Sequence, residues 1–227
     1  MSVMDKQSFE IRPVQAEDTE DVMNLLRRTF FIDEPLNQAV GLCSEGTCTE
    51  LEEYCKHYLP GDGWSFKAMD REGNIIGVMI NGICPLKEDE DGSDHLSQAE
   101  KCQNHKFQKI LYVLARREEG SRLWEKFPDD NQMLDVKIAA TDPSWRKRGI
   151  MNALLHETEK ITKQRGIRIV RMDTSSAFSA MSAEKLGFTC MYSAPYTELK
   201  LDGRPLIVPE PPHVDDRVYI KILFEKD

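Results

Sequence analysis

The stretch LDVKIAATDPSWRKRGIMNALL, residues 134–155, constrains the fold of this chain more than any other segment. Val136, Ile138 and Ala140 alternate with other residues, which predicts a short β-strand over residues 135–141. The sequence Asp-Pro-Ser that follows ends the strand. Apolar residues then recur at helical spacing: Ile150, Ala153, Leu154 and Ile161, with Leu155 and Thr158 in the same stripe. The segment therefore predicts a central strand, a tight polar turn and a helix.

The turn itself, Arg146-Lys147-Arg148-Gly149, is basic and lies where the predicted helix begins. The first N–H groups of a helix have no partner within it, and the positive end of the helix dipole adds to them. Gly149 has no Cβ and lets a ligand approach the backbone closely. The turn is thus typical of a phosphate or pyrophosphate site, although an ordinary strand–helix junction with solvated basic residues has the same pattern. Neither G-x-x-x-x-G-K-[ST] nor G-x-G-x-x-G occurs in the chain.

Length and composition indicate one soluble globular domain over residues 1–227. The chain is 40% hydrophobic and 30% charged, with a net charge of −9, which argues against general nucleic-acid binding and agrees loosely with a cationic substrate. The polar N-terminus has no apolar signal region, and no apolar run approaches the ~18 residues of a membrane span. The six cysteines contain no CxxC pair and no zinc-type spacing. We therefore expect free thiols in a reducing cytoplasm and no metal.

Periodicity predicts an α/β fold with a mixed, mostly antiparallel sheet and helices on both faces. The predicted strands cover residues 9–14, 64–70, 74–83, 135–141, 167–174, 189–199 and 217–224. The predicted helices cover residues 17–30, 48–59, 105–127, 149–165 and 177–186. Residues 87–100 are predicted to form a solvated acidic loop, and residues 203–214 are proline-rich and irregular. The strand–helix–strand in the middle implies a parallel crossover, whereas the pair before it is too closely connected to be anything but antiparallel.

Four motifs, in this order, resemble those of a known family. They are Phe30-Phe31-Ile32-Asp33-Glu34-Pro35-Leu36-Asn37, the basic turn with Ala139-Ala140-Thr141-Asp142-Pro143 before it, Thr174-Ser175-Ser176-Ala177-Phe178-Ser179-Ala180 with Glu184-Lys185-Leu186-Gly187-Phe188, and Pro212-His213-Val214. The basic turn is similar to the acetyl-CoA loop of the GNAT superfamily. The other three motifs are similar to those of the insect-type arylalkylamine (dopamine) N-acetyltransferases of that superfamily. Met151 departs from the family's basic turn, which has a small residue there. The resemblance covers nearly the whole chain and implies a GNAT fold.

The resemblance also implies a reaction and its residues. The protein would transfer an acetyl group directly from acetyl-CoA to an arylalkylamine such as dopamine, tyramine, octopamine, serotonin or tryptamine, in a ternary complex. A monomer is favoured, but the sequence leaves a dimer open. Glu34 would be the general base, and Ser175 and Ser179 would relay or supply protons. The cofactor would bind to Ala139, Ala140, Thr141, Arg146, Lys147, Arg148, Gly149, Ile150 and Met151. The substrate would contact Phe30, Phe31, Asp33, Pro35 and His213.

These residue types suit the chemistry, but each also has a structural interpretation. An amine with a pKa of about 10 must lose its proton before it attacks, and a nearby carboxylate can accept it. Glu34, however, could cap a helix, Ser175 and Ser176 could cap the helix at residue 177, and His213 could be structural. Phe30, Phe31, Leu36 and Met191 could line an amine pocket or belong to the core. Two other functions stay open: a GNAT enzyme for a polyamine or a protein lysine, and a non-catalytic acyl-CoA-binding protein.

Overall fold

The computed structural model describes residues 8–86 and 95–225. The strands in this part of the chain are β1 (Glu10–Pro13), β2 (Phe66–Met69), β3 (Ile75–Pro85), β4 (Gln132–Thr141), β5 (Ile169–Thr174), β6 (Thr189–Pro195), β7 (Lys200–Leu201), β8 (Arg204–Pro205) and β9 (Asp215–Ile222). Its helices are α1 (Thr19–Arg27), α2 (Phe30–Asp33), α3 (Pro35–Ala39), α4 (Thr49–His57), α5 (His95–Lys101), α6 (His105–Ser121), α7 (Leu123–Lys126), α8 (Ile150–Gln164) and α9 (Ala177–Lys185).

Seven strands form one mixed sheet in the order β1-β2-β3-β4-β5-β9-β6. Only β4 and β5 pair in parallel, and all other neighbours are antiparallel. Helix α8 connects the two parallel strands, because a parallel pair needs a crossover connection. The predicted fold class, an α/β protein with a mixed and mostly antiparallel sheet, is therefore confirmed.

A β-bulge at Lys137 changes which face of the sheet each β4 side chain occupies. On β3, Ile80 lies opposite Ile138, whereas the next residue, Asn81, lies opposite Val136, so Lys137 is the extra residue. The hydrophobic side chains before the bulge, at 134 and 136, pack in the core layer under α8 and α9, and those after it, at 138 and 140, pack in the opposite layer. The alternation in the sequence predicted the strand correctly, but the bulge places Val136 on the other face from Ile138.

The chain forms helix α8 because one of its faces is apolar and the other is not. Ile150, Leu154, Leu155, Thr158 and Thr162 are buried, and the helix packs against β2, β3 and β4. Their spacing of three, four and seven residues is that of a helix with one face towards the core. The helix begins directly after Gly149, so packing fixes the position of the basic turn.

Three stretches differ from the sequence-based expectation. The helix predicted over residues 17–30 ends at Arg27, and α2 begins separately at Phe30. Of the predicted acidic loop, residues 87–94 lie outside the described residues, and the rest of the prediction is wrong because His95–Lys101 forms α5. The small hairpin β7–β8 interrupts the region before residue 214. All six cysteines are free thiols, and in the described residues no helix is long and apolar enough to cross a membrane.

Arg117 connects α6 to two strands through buried ion pairs. Its Nε and Nη2 donate to the two carboxylate oxygens of Asp216 on β9, at 2.7 and 2.6 Å, and its Nη1 donates to Asp173 on β5 at 3.1 Å. Arg171 donates to the same Asp173 at 2.8 Å. Burial alone would raise the pKa of Asp173, but the guanidinium groups of Arg171 and Arg117 outweigh burial and lower it to about 2. Asp173 is therefore charged at neutral pH, and its low pKa depends on both arginines.

Replacing Arg117 by methionine should strongly destabilise the protein. The substitution leaves the buried carboxylate of Asp216 without its arginine and removes one of the two arginines from Asp173. Breaking a buried ion pair in this way costs about 3–5 kcal/mol. Urea-induced unfolding would measure the loss. The matched control is Arg116→Met on the same helix, because Arg116 forms an exposed pair with Glu119 and should cost about 1 kcal/mol or less. Equal effects of the two substitutions would contradict this account.

Candidate active site

A cleft opens where β4 and β5 separate. The two strands pair only over residues 134–136 and 170–172, although β4 continues to Thr141 and β5 to Thr174. The cleft has a volume of about 410 Å³ and is lined by the last residues of β4, by the start of α9 and by the α2–α3 region. Most of the residues that the sequence predicted as a site contribute to this wall: Phe30, Asp33, Glu34, Pro35, Ala139, Ala140, Thr141, Arg146, Met151, Ser175 and Ser179.

The free edge of β4 presents backbone polar groups to the cleft. The amide of Asp142 donates to Ile76 O on β3 at 2.8 Å, and in an antiparallel pair only every second residue bonds to the same neighbour. The backbone N–H and C=O groups of Ala140 therefore point to β3. Those of Ala139 and Thr141 point to the opposite side, where β5 no longer pairs with β4. The Thr141 hydroxyl is also buried and has no hydrogen-bond partner among the described residues. This edge can therefore bind an extended ligand with amide groups.

The basic turn adopts the conformation that an anion site needs. Gly149 has a φ of 81° and Lys147 a φ of 63°, and no side chain caps the start of α8 at Gly149. The first N–H groups of α8 thus lack side-chain caps and can bind an anion. Arg148 stacks on Trp145, with 4.7 Å between its guanidinium carbon and the ring centroid. Arg146 extends to the cleft and pairs with Asp33 at 2.6 Å.

Glu34 lies at the break between α2 and α3. Pro35 is the first residue of α3, and Glu34 is its N-cap, with Oε2 accepting from the Asn37 amide at 2.7 Å. Its other oxygen, Oε1, accepts from the Ser175 hydroxyl across the cleft. The capping role considered for Glu34 is thus present in the structure, but it uses only one oxygen. The second oxygen faces the cleft.

The environment of Glu34 raises its pKa above the ordinary value of 4.5. Burial is the largest cause, and hydrogen bonds from Ser175 and from the amides of Asn37 and Leu36, together with the charge of Arg117, only partly offset it. A raised pKa makes a carboxylate a better proton acceptor at neutral pH. The electrostatics and the position of Glu34 therefore suit a general base.

Ser176 and His213 together cap the start of α9. Ser176, not Ser175, caps α9 by accepting from the Phe178 amide at 3.1 Å, and His213 Nδ1 accepts from the Ala177 amide at 3.1 Å. Ser175 is left to donate to Glu34, and Ser179 donates to the Ser176 carbonyl at 2.9 Å. His213 lies beside the cleft, where its ring packs against Phe178, and it does not line the cleft itself.

Several predicted residues lie away from the cleft wall. Phe31 and Ile150 are buried in the core, each 2% exposed, because they lie on the inward faces of α2 and α8. Leu36 is also buried, while Met191 packs in a separate cluster near Leu123. Lys147, Arg148 and Gly149 form the outer end of the basic turn and are not part of the cleft wall.

A second, smaller cavity of about 120 Å³ adjoins the cleft at Glu34 and Ser175. Sequence reasoning missed its polar walls, which include His95, Arg117, Glu118, Asp135, Lys137, Arg171 and Asp173. For Arg117 a signal was present, because it continues the spacing of Phe107, Ile110 and Leu114 on the inward face of α6. A charged residue on an apolar helix face indicates a buried partner.

Glu34→Gln should stabilise the folded protein at neutral pH. Glutamine keeps an oxygen for the Asn37 amide but removes the cost of burying a charge. Because the pKa of Glu34 is raised on folding, its proton is bound more tightly in the folded state, and the charged form costs stability increasingly as pH rises above 4.5. Urea unfolding between pH 4.5 and about 8 should show the variant gaining on the wild type with rising pH.

Glu53→Gln, at an exposed position of α4, corrects this measurement for the loss of one formal charge. A stability difference between Glu34→Gln and the wild type that does not change with pH would contradict the raised pKa.

Comparison with known proteins agrees with this architecture. No protein-family model matches the chain. Arylalkylamine N-acetyltransferase 2 from Aedes aegypti has a similar structure, with a TM-score of 0.87 and 29% identity over 96% of this chain and 100% of that one. A Drosophila melanogaster polyamine N-acetyltransferase that forms N-acetylagmatine has a TM-score of 0.83 and 24% identity, over 95% of this chain and 100% of that one. Arabidopsis thaliana NAA60, solved with acetyl-CoA, has a TM-score of 0.54 and 16% identity, over 95% of this chain and 99% of that one.

The last two likenesses, both under 25% identity, concern the fold alone. The chain has the fold of the GNAT N-acetyltransferases, as its motifs predicted, and the solved structures that it resembles include insect arylalkylamine and polyamine N-acetyltransferases.

Proposed function

We propose that the protein is an acetyl-CoA-dependent N-acetyltransferase of arylalkylamines and that Glu34 is its general base. The observation that carries the proposal is the position of Glu34. This carboxylate lies where the cleft between β4 and β5 meets the smaller cavity, and it lines both. A group placed between two binding spaces can act on molecules that meet there, which is what direct transfer in a ternary complex requires.

The cleft has the features that acetyl-CoA needs. The free edge of β4 at Ala139 and Thr141 offers backbone donors and acceptors to the amide groups of the pantetheine arm, and the unpartnered Thr141 hydroxyl adds another. The uncapped start of α8 after Gly149 suits the pyrophosphate. Arg146, at the cleft wall, and Lys147 and Arg148, further out on the turn, add positive charge. When bound, acetyl-CoA supplies the acetyl group as a thioester.

The charges around Glu34 favour an acceptor with one positive charge. Among the described lining residues there are four other carboxylates, and each already has a partner. Three form ion pairs, Asp33 with Arg146, Asp173 with Arg171 and Arg117, and Asp135 with Lys137, and the fourth, Glu118, is hydrogen-bonded to His95. A polyamine would bring a second cation without a free carboxylate for it, and burying an unpaired charge is costly. The walls of the smaller cavity suit an apolar remainder instead, because they include Phe30, Leu36, Leu51, Tyr54, Phe107, Ile110 and Leu114.

The residues at the junction can carry out the proton transfers. The raised pKa of Glu34 suits it to accept a proton from the ammonium group of the amine, directly or through water. Ser175 donates to Glu34 in the structure and would keep its carboxylate oriented. Ser179 lies on the cleft wall, where its hydroxyl can supply a proton to the departing thiolate. Donors on the β4 edge can stabilise the negative charge that develops on the carbonyl oxygen.

A panel of amines tests the substrate class. Release of free CoA thiol would be followed with dopamine, tyramine, octopamine, serotonin and tryptamine, and in parallel with agmatine, spermidine and a lysine peptide. We expect a higher kcat/KM for the arylalkylamines, because the cavity offers apolar walls and one unpaired carboxylate. A preference for agmatine or spermidine would favour a polyamine N-acetyltransferase. Binding of CoA without turnover of any amine would leave a CoA-binding module.

Glu34→Gln should lower kcat by about 10²–10⁴-fold, because the amine loses its proton acceptor. Acetyl-CoA binding should stay close to normal, since the basic turn is intact. In the wild type, kcat/KM should rise with pH through an apparent pKa that belongs to Glu34 and the amine together. In the variant this rise should move towards the pKa of the free amine, about 10. Near-normal kcat with an unmoved pH profile would leave Glu34 as a capping residue only.

A further inference from the structure

His95 has an unused hydrogen-bonding atom in the smaller cavity. The residue is the first of α5, is 5% exposed and lines this cavity. Its Nδ1 lies 2.8 Å from Glu118 Oε1 on α6. Its other ring nitrogen, Nε2, is buried and has no hydrogen-bond partner among the described residues. None of the other buried polar atoms without a partner in the described chain belongs to a residue that lines this cavity.

The pairing with Glu118 sets the chemistry of the free nitrogen. A carboxylate can only accept hydrogen bonds, so the proton of the imidazole lies on Nδ1. In the neutral ring Nε2 is then an acceptor with a lone pair. Leaving a buried acceptor unsatisfied costs free energy, and buried polar atoms without a partner are rare. An arrangement of this kind points to a donor that arrives from outside the chain.

The cavity offers room for more than a single water. A water needs about 10–15 Å³ of such space, whereas this cavity has about 120 Å³. Besides His95 its walls combine Glu34, where the amine would lie, with the rings of Phe30, Tyr54 and Phe107. Aromatic walls of this type bind flat rings well. In the described residues no cluster of metal-ligating side chains occurs that would assign His95 to a metal.

We infer that the smaller cavity takes the ring of the acceptor amine and that His95 Nε2 accepts a hydrogen bond from a phenolic hydroxyl on that ring. The inference rests on the proposed function and names its preferred substrates, arylalkylamines with a hydroxylated ring. Glu118 positions His95 and keeps the proton on Nδ1. A site that is built to bond a hydroxyl rejects the analogue that lacks it, because its own polar atom is then left buried and unpaired.

The test compares tyramine with phenethylamine, which differs only in lacking the ring hydroxyl. In the wild type, kcat/KM for tyramine should exceed that for phenethylamine by about ten- to hundredfold. In His95→Leu the ratio should fall towards one, because tyramine loses a hydrogen bond that phenethylamine never makes. Glu119→Gln is the control, because Glu119 is next to Glu118 on α6 but pairs with Arg116 at the surface. Its ratio should equal that of the wild type.

A second measurement uses the wild-type protein alone. In ¹⁵N spectra of the imidazole rings, with CoA present so that no acetyl group is transferred, tyramine should shift the Nε2 signal of His95 and phenethylamine should not. The signal is assigned from its absence in His95→Gln.

Three outcomes would overturn the inference: equal kcat/KM for the two amines in the wild type, an unchanged ratio in His95→Leu, or an Nε2 signal that responds to neither amine, which would make water the partner of His95. These outcomes differ from a failure of the proposed function, in which the wild type would acetylate neither amine.

Discussion

The separation of β4 from β5 after three paired residues is the constraint on which the rest of the structure depends. A buried strand that loses its neighbour leaves backbone N–H and C=O groups without partners, which is costly unless something else binds them. The bulge at Lys137 occurs at the same point and turns the remainder of β4 to the opposite core layer. The strand therefore keeps its packing on one side through Ile138 and Ala140 while its edge stays open for a ligand.

Buried charges connect β5 to α6 and β9 just where β5 separates from β4. Asp173 follows the last residue of β5 that pairs with β4, and it bonds both Arg171 and Arg117. Arg117 also bonds Asp216 on the neighbouring β9. A hydrophobic core of the same volume would be at least as stable. It could not, however, place a fixed charge near Glu34, whose pKa Arg117 helps to lower against the effect of burial. The network thus links the stability of the open sheet to the electrostatics of the proposed base.

Regular patterns made most of the fold predictable, and long-range contacts account for what was missed. The strand, turn and helix around Gly149 could be predicted because each depends on neighbouring residues. The face change at Lys137 could not, since a bulge depends on the partner strand. Phe30 and Phe31 are adjacent residues of the same type, so the sequence does not distinguish them. The tertiary fold places Phe31 in the core and Phe30 on the cleft wall. His95 lies beside an acidic run, and its burial depends on α6, which comes later in the chain.

Glu34 shows how one residue can stabilise the fold and remain available for chemistry. The break before Pro35 requires a cap, and a carboxylate satisfies it with one oxygen on the Asn37 amide. That bond fixes the side chain so that the second oxygen faces Ser175 and the junction of the two cavities. Every other carboxylate in these walls is bonded to a basic group, so the net charge of −9 says little about the site. Among the described lining residues, Glu34 is the one carboxylate without a basic side chain bonded to it. The charges of the site therefore match an acceptor that carries one positive charge.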